Sequence, residues 1–385
     1  MSGARQRVVV VPGMHRAGTS VVARGLQALG LDLGNALMSA DPRMNARGFF
    51  EDTELVHLDD ELLALHGADW KSVALLAGSD WTRAGLASAH DDARVLLARK
   101  LAPTGRFAFK DPRVPRLLPF WQRAFAALDV DDGYVIAVRH PLAVIASLTA
   151  RDALDPRRSA WLWVTHLVCA LRYTQGRPRV VVDYDRLLAA PERELARMAA
   201  ALALPAPASD SVRAYRDGFL SEDLRHARHE AGDVGEAAAH PLVADAHALA
   251  QHLAGDADAG AETAHAAIDA LWQRLLAYAP LLDYAGDVER AADDVPRLAG
   301  ELDWARRSLA GAETYARDLA GTLAARENEC AEARVYVDDL VATIARKDTE
   351  LTAAYANLAD AHGLLDRVRE RVVGRLLLRA IARKP

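Results

Sequence analysis

Four short apolar runs, each ending in a cluster of polar residues, limit what this chain can fold into. The first, Val8 to Val11, is four valines stopped by Pro12-Gly13, which fits a strand buried on both faces. From Thr19 the spacing turns helical, with Val22, Leu26 and Leu29 on one side and Gly30 as a stop. Strand, glycine-bearing turn and helix form the opening unit of a parallel α/β sheet. Arg106 to Phe109, Tyr134 to Val138 and Val180 to Val182 repeat the theme. Helices are expected among them over about 84–101, 115–128, 141–151, 159–175 and 191–203. The expected fold is therefore α/β, with a three-layer parallel sheet. Such sheets bind ligands beyond the carboxyl ends of their strands. The clusters Gly13–Ser20, Lys110–Arg113, Arg139-His140 and Asp183–Arg186 are then the places to look for chemistry.

Residues 205–262 carry little periodicity and are expected as loops and short helices, with 263–278 as a last packing helix carrying Trp272. Near Gly286 the texture changes, so the chain divides into an expected domain over 1–288 and a tail over 289–385. From Leu302 to Val372 a three-four repeat runs for about ten heptads, with Arg326 and Lys347 the only charged core positions. It predicts a long coiled coil, about 100 Å at 1.5 Å per residue, and a homo-oligomer. Parallel pair, antiparallel pair and larger bundle all remain open at this level, as does a solvated single helix. The basic end, Arg369 to Lys384, includes Leu376 to Leu378 and Ile381; it fits either a plain helix end or contact with an anionic membrane surface.

Composition excludes several classes. A formal net charge of -6 argues against a nucleic-acid binder, so any anion site must be local. Cys169 and Cys330 form neither a disulfide framework nor a metal spacing, which suits a reducing compartment. The apolar run after Met1 to Arg7 is too short for a signal peptide or a membrane span. A soluble cytoplasmic protein is expected, with any contact to the inner membrane made through the basic end. Lysine is confined to Lys71, Lys100, Lys110, Lys347 and Lys384, which makes each worth inspecting. No G-x-G-x-x-G or G-x-S-x-G element and no metal-spaced Cys/His/Asp cluster is present, and no metal is expected.

The turn Gly13-Met14-His15-Arg16-Ala17-Gly18-Thr19-Ser20 has the composition of an anion cradle. Glycines let the backbone wrap a phosphate, and the helix N-terminus adds about half a positive charge. Thr19 and Ser20 supply hydroxyl donors, and Arg16 a full charge. The two glycines stand at Walker A spacing, but Thr19 occupies the place of the lysine that bridges β and γ phosphates. That counts against an NTPase or nucleotide kinase.

This loop resembles the 5′-phosphosulfate loop of the sulfotransferases, and in particular the H-R-S-G-T-S form of bacterial members. A second element, Arg139-His140-Pro141 through Ser147, resembles the family's R-x-P-x-x-x-x-x-S motif, whose Arg and Ser bind a nucleotide 3′-phosphate. Leu142 departs from the polar residue some members carry after the proline. Gly48-Phe49-Phe50-Glu51-Asp52, preceded by Asn45 and Arg47, resembles the G-Y-F-E-D stretch of bacterial relatives. Val182 to Leu187 with Pro191 resembles the family's Y-E-D-L…P element. The similarity spans about residues 7–205.

The resemblance implies a fold of the P-loop/sulfotransferase type and 3′-phosphoadenosine 5′-phosphosulfate (PAPS) as co-substrate. Gly13, His15, Arg16, Ala17, Gly18, Thr19, Ser20, Arg139 and Ser147 would bind it. The acceptor would be a hydroxyl, expected on a carbohydrate or glycolipid.

Sulfuryl transfer needs in-line placement, charge stabilisation and a base for the acceptor hydroxyl. Lys110, in F-K-D-P-R, corresponds to a lysine that related enzymes hold after the same strand, and with Arg16 it is the expected catalytic cation. Glu51 is the expected base, with Asp111 as its rival; Pro112 stands where some relatives carry a histidine. The alternatives are a P-loop NTPase and a catalytically inactive scaffold whose tail does the work.

Overall fold

The computed structural model describes residues 5–39, 48–220, 240–255 and 261–381. Asn45, Arg47 and Lys384, singled out above, lie outside them. The described chain forms two compact units, Met1–Asp294 and Val295–Pro385.

The first unit is built on four parallel strands, β1 (Arg7–Val11), β2 (Arg106–Lys110), β3 (Asp131–Val138) and β4 (Arg179–Asp183), in the order β2-β1-β3-β4. All four expected runs are strands. The valines of β1 are fully buried and alternate between two cores, as a period of two requires. Val8 and Val10 join one cluster with Phe107, Phe109, Trp121 and Tyr134. Val9 and Val11 join another on the opposite face with Leu26, Val135, Val182 and Tyr215. A third cluster packs around Trp163, Val168 and Trp272. The sheet is thus covered on both faces, and β1 sits centrally because both faces and both edges of it are paired.

The helices before the tail are α1 (Thr19–Ala28), α2 (Thr53–Leu65), α3 (Ala87–Leu101), α4 (Val114–Ala127), α5 (Pro141–Asp152), α6 (Pro156–Tyr173), α7 (Tyr184–Ala189), α8 (Pro191–Ala201), α9 (Ser209–Arg213), α10 (Pro241–Ala254) and α11 (Ala261–Leu276). Two depart from expectation. Helix α2 was not foreseen, because Asp59, Asp60 and Glu61 interrupt its apolar face; Asp52 caps it by accepting from the Glu54 N–H at 3.1 Å. Helix α10 is a full packing helix of 14 residues inside a stretch expected as loops and short helices, with Leu242, Val243, Ala246 and Ala250 buried. Its alanines make a weak apolar signal in the sequence but allow close approach to α6.

The last helix, α12 (Ala279–Ile381), starts before the texture change and continues through Pro296. Its first turns belong to the first unit, where Asp283 accepts from the Leu75 N–H at 3.2 Å. From Val295 onward it is a single continuous helix whose large apolar residues, as far as Val373, are exposed. Among the described residues no helix is long and apolar enough to cross a membrane.

Candidate active site

Strand order decides where chemistry can happen. The chain leaves β1 for β2 on one side and returns to β3 on the other, so the switch point lies between the carboxyl ends of β1 and β3. The Gly13–Ser20 loop leaves β1 there, and Arg139 leaves β3 beside it.

The loop has the backbone that an anion cradle needs. Gly18, with φ +87°, caps α1 without a side-chain hydrogen bond, and no acidic residue stands in the first turn. Helix N-termini leave N–H groups that the helix itself cannot satisfy. Arg16 also lies in the left-handed region, at φ 69°. A Cβ on Gly18 would sit 2.4 Å from Tyr184 Cδ2, and one on Gly13 would sit 2.8 Å from the Ala137 carbonyl oxygen. Both glycines are therefore sterically required. Thr19 is buried, and the Ser20 hydroxyl donates to the Phe49 carbonyl at 3.1 Å. Ala17 closes the loop through its N–H to the Met14 carbonyl at 3.0 Å.

The two motifs meet. Arg16 Nε donates to Ser147 Oγ at 2.7 Å, across 131 residues of sequence. Arg139 Nη1 approaches the Arg16 carbonyl at 3.4 Å, and its guanidinium lies 4.5 Å from the centre of the Tyr184 ring. Burial lowers the proton affinity of Arg16, and the neighbouring positive charges of Arg151 and Arg139 lower it further. Concentrated positive charge of this kind, half-buried, favours an anion.

His15 is turned inward: its ring lies 4.6 Å from that of Trp70, and its buried Nε2 has no hydrogen-bond partner. Burial, then the charges of Arg113 and Lys110, hold its pKa well below the usual 6.5, so the imidazole is neutral. The segment carrying Trp70 is pinned by Arg116, a fully buried guanidinium that donates to the carbonyls of Asp69, Ser72 and Ala74. Burial brings Arg116 down to about 10.

Beside this arginine cluster lies a denser, drier one at the end of β2. Lys110 and Glu51, expected as cation and base, form a buried ion pair, and Lys110 Nζ also donates to the Phe49 carbonyl at 3.0 Å. Burial raises the Glu51 pKa further than the Lys110 ammonium lowers it, and the nearby Asp111 carboxylate raises it again. Its neighbour Phe50 packs edge-on against Phe219, at 5.6 Å between ring centres. Asp111, the rival base, is fully buried and accepts from Arg113 through both its N–H and Nη1, at 2.9 and 3.0 Å. Arg113 in turn donates to Asp60. Burial lowers the proton affinity of Arg113, but Asp111 and Asp60 more than offset that and hold it above its usual value.

Sequence reasoning missed two residues here. Asp59 is fully buried and accepts from Trp121 Nε1 at 2.8 Å. Its Oδ2 and that of Asp111 are both buried without a hydrogen-bond partner among the described residues. Burial, and the neighbouring Asp111 carboxyl, hold the Asp59 pKa well above 3.8. The signal was its place at a core position of α2, between Leu55 and Leu62. Tyr184 is the other: it covers both Gly18 and Arg139, a role not assigned to it although it lies in the Asp183–Arg186 cluster and the Y-E-D-L-like element.

No family model and no curated protein matches the chain. Among solved structures it is similar to the sulfotransferase domain from the Synechococcus PCC 7002 olefin synthase, at 17% identity and a TM-score of 0.35, over 66% of this chain and 95% of that one.

Proposed function

We propose that this protein is a sulfotransferase that moves a sulfuryl group from PAPS to an acceptor hydroxyl, on a carbohydrate or glycolipid. The observation that carries this reading is the Arg16–Ser147 contact at 2.7 Å, with Arg139 against the Arg16 carbonyl. Two motifs with separate expected roles, one for a 5′-phosphosulfate and one for a 3′-phosphate, come together at one switch point.

The residues present fit such a nucleotide. Gly13 and Gly18 keep side chains out of the cradle, and Arg16, Arg139, Thr19, Ser20 and Ser147 supply donors around it. PAPS, when bound, supplies the sulfuryl group. Glu51, whose proton affinity burial raises, takes the proton of the acceptor hydroxyl as its oxygen bonds to sulfur. Lys110 and Arg16 stabilise the charge that develops as the bond from sulfur to the phosphate oxygen breaks. Taking up that proton neutralises Glu51 and releases Lys110 from its ion pair, so the cation becomes available as the leaving oxygen gains charge.

Calorimetric titration with 3′-phosphoadenosine 5′-phosphate, beside ADP and an Arg139→Ala variant, tests the donor site. Micromolar binding that needs both the 3′-phosphate and Arg139 is expected. Equal binding of ADP, or none of either, would overturn the reading and bring the NTPase or the scaffold forward.

A further inference from the structure

The C-terminal helix offers a second, independent observation. Within 295–381 it is unbroken, and its large apolar residues as far as Val373 stand in solvent: Leu309 is 62% exposed, Ile344 66% and Leu365 63%. Numbering the heptads with Leu302 at a, every a position is apolar, while the d positions alternate between alanines, larger residues and the charged Arg326 and Lys347. One stripe is therefore mostly large and the other mostly small. That asymmetry distinguishes the arrangements that periodicity alone leaves open.

In a parallel, in-register pair, each residue meets its own copy. Ala305, Ala312, Ala333, Ala354 and Ala361 would then face alanine and leave thin layers between thick leucine layers. Arg326 would face Arg326, and Lys347 would face Lys347. Both features are unfavourable: voids forfeit contacts, and like charges in a seam repel. In an antiparallel pair, a positions face d positions, so large meets small. About an axis at Val335 four layers pair large with small, namely Ala305 with Leu365, Leu309 with Ala361, Ala312 with Leu358 and Ala333 with Val337; Ala316 meets Ala354, while Leu302 and Leu319 meet Val368 and Leu351. Arg326 lies over Ile344 and Lys347 over Leu323, each stem on an aliphatic surface with its charged end free to reach water. Glu301 comes near Arg371 of the second copy at each end; Arg334 near its own copy at the axis is the one unfavourable flank. Charged d positions reach solvent in a two-stranded rod but would be enclosed in a larger bundle.

We infer that the exposed face of this helix is covered by a second copy of the same chain, running antiparallel about Val335 as a two-stranded rod. The inference uses the helix alone and stands or falls separately from the sulfotransferase reading.

Cys330 provides the probe. In this arrangement it lies against Leu340 of the second copy and is offset by several residues from its own counterpart. The other cysteine, Cys169, is buried with its thiol pushed up to about 12, so mild oxidants act on Cys330 alone. Full-length protein should sediment at twice the monomer mass at micromolar concentration. Mild oxidation should leave that dimer non-covalent, whereas Leu340→Cys should convert it to a covalent dimer on a non-reducing gel. Adding Cys330→Ser to that variant should abolish the cross-link. A monomer at tens of micromolar, a larger assembly, a dimer cross-linked through Cys330 alone, or a dimer that Leu340→Cys fails to cross-link would each overturn the arrangement. Sedimentation of the unaltered chain keeps the test valid should the substituted proteins fold poorly.

Discussion

At the end of β2 the charges come as buried pairs: Lys110 with Glu51, Arg113 with Asp111 and Asp60, and Asp59 with Asp111. At the ends of β1 and β3 the residues are half-buried arginines, and among the described residues Arg139 makes no ion pair. The first group has its partners already and is held rigid by them. In the second, Arg16 is directed by Ser147, and Arg139 by its stacking on Tyr184 and a backbone carbonyl. One half of the candidate site is therefore expected to answer to mutation in stability, the other in ligand binding.

The largest expected break in that contrast is Lys110→Met, which strands the Glu51 carboxylate in the interior and should cost about 3–5 kcal/mol. The loss should be pH-dependent. A carboxyl whose folded pKa lies above its unfolded value stabilises the fold when protonated, and that contribution disappears as pH rises through the folded pKa. Urea unfolding should accordingly show a smaller deficit near pH 5 than near pH 8; a deficit independent of pH would contradict the buried pair.

Gly18→Ala comes next. It places a Cβ at φ +87° and 2.4 Å from Tyr184, so the backbone or the tyrosine must move. The left-handed conformation alone costs about 1–2 kcal/mol. Nucleotide binding should fall with stability here, because Tyr184 also backs Arg139.

Asp59→Ala leaves the buried Trp121 N–H unsatisfied, for about 1–3 kcal/mol. Asp59→Asn keeps an acceptor for Trp121 and should cost less. It should also flatten the loss of stability expected as pH rises through the raised Asp59 pKa, which pH-dependent thermal melts would show.

The smallest stability effect belongs to Arg139→Lys, within about 0.5 kcal/mol of the parent by urea unfolding. Charge is kept, but the planar fork and its stacking on Tyr184 are lost, so 3′-phosphate affinity should fall by about tenfold by calorimetry. A large stability change without a binding change would reverse the comparison between the two halves.

Much of this was legible in the chain itself. Val8 to Val11 and its three counterparts announce strands because a short apolar run that stops at a polar cluster or turn is a local property. The Gly13–Ser20 and Arg139–Ser147 motifs are legible for the same reason: each lies within one strand-to-helix turn. Helix α10 was not, since alanine faces carry little periodic contrast, and neither was α2, whose acidic run hides a packed face.

Pairings were beyond the sequence. Glu51 and Lys110 stand 59 residues apart, and Arg16 and Ser147 stand 131 apart. Which charge meets which depends on β1 lying between β2 and β3, an order set by how three cores close around the sheet and not by any local pattern. The sequence by itself determined the strands, the cradle and the heptad stripe, because short-range sterics and periodicity write them directly. Only the tertiary structure decided that Glu51 is held by a lysine, that the Asp59 carboxyl is buried against Trp121 and that Tyr184 closes over Gly18 and Arg139. The reason is that burial and distance, which set those interactions, exist only once the layers have packed.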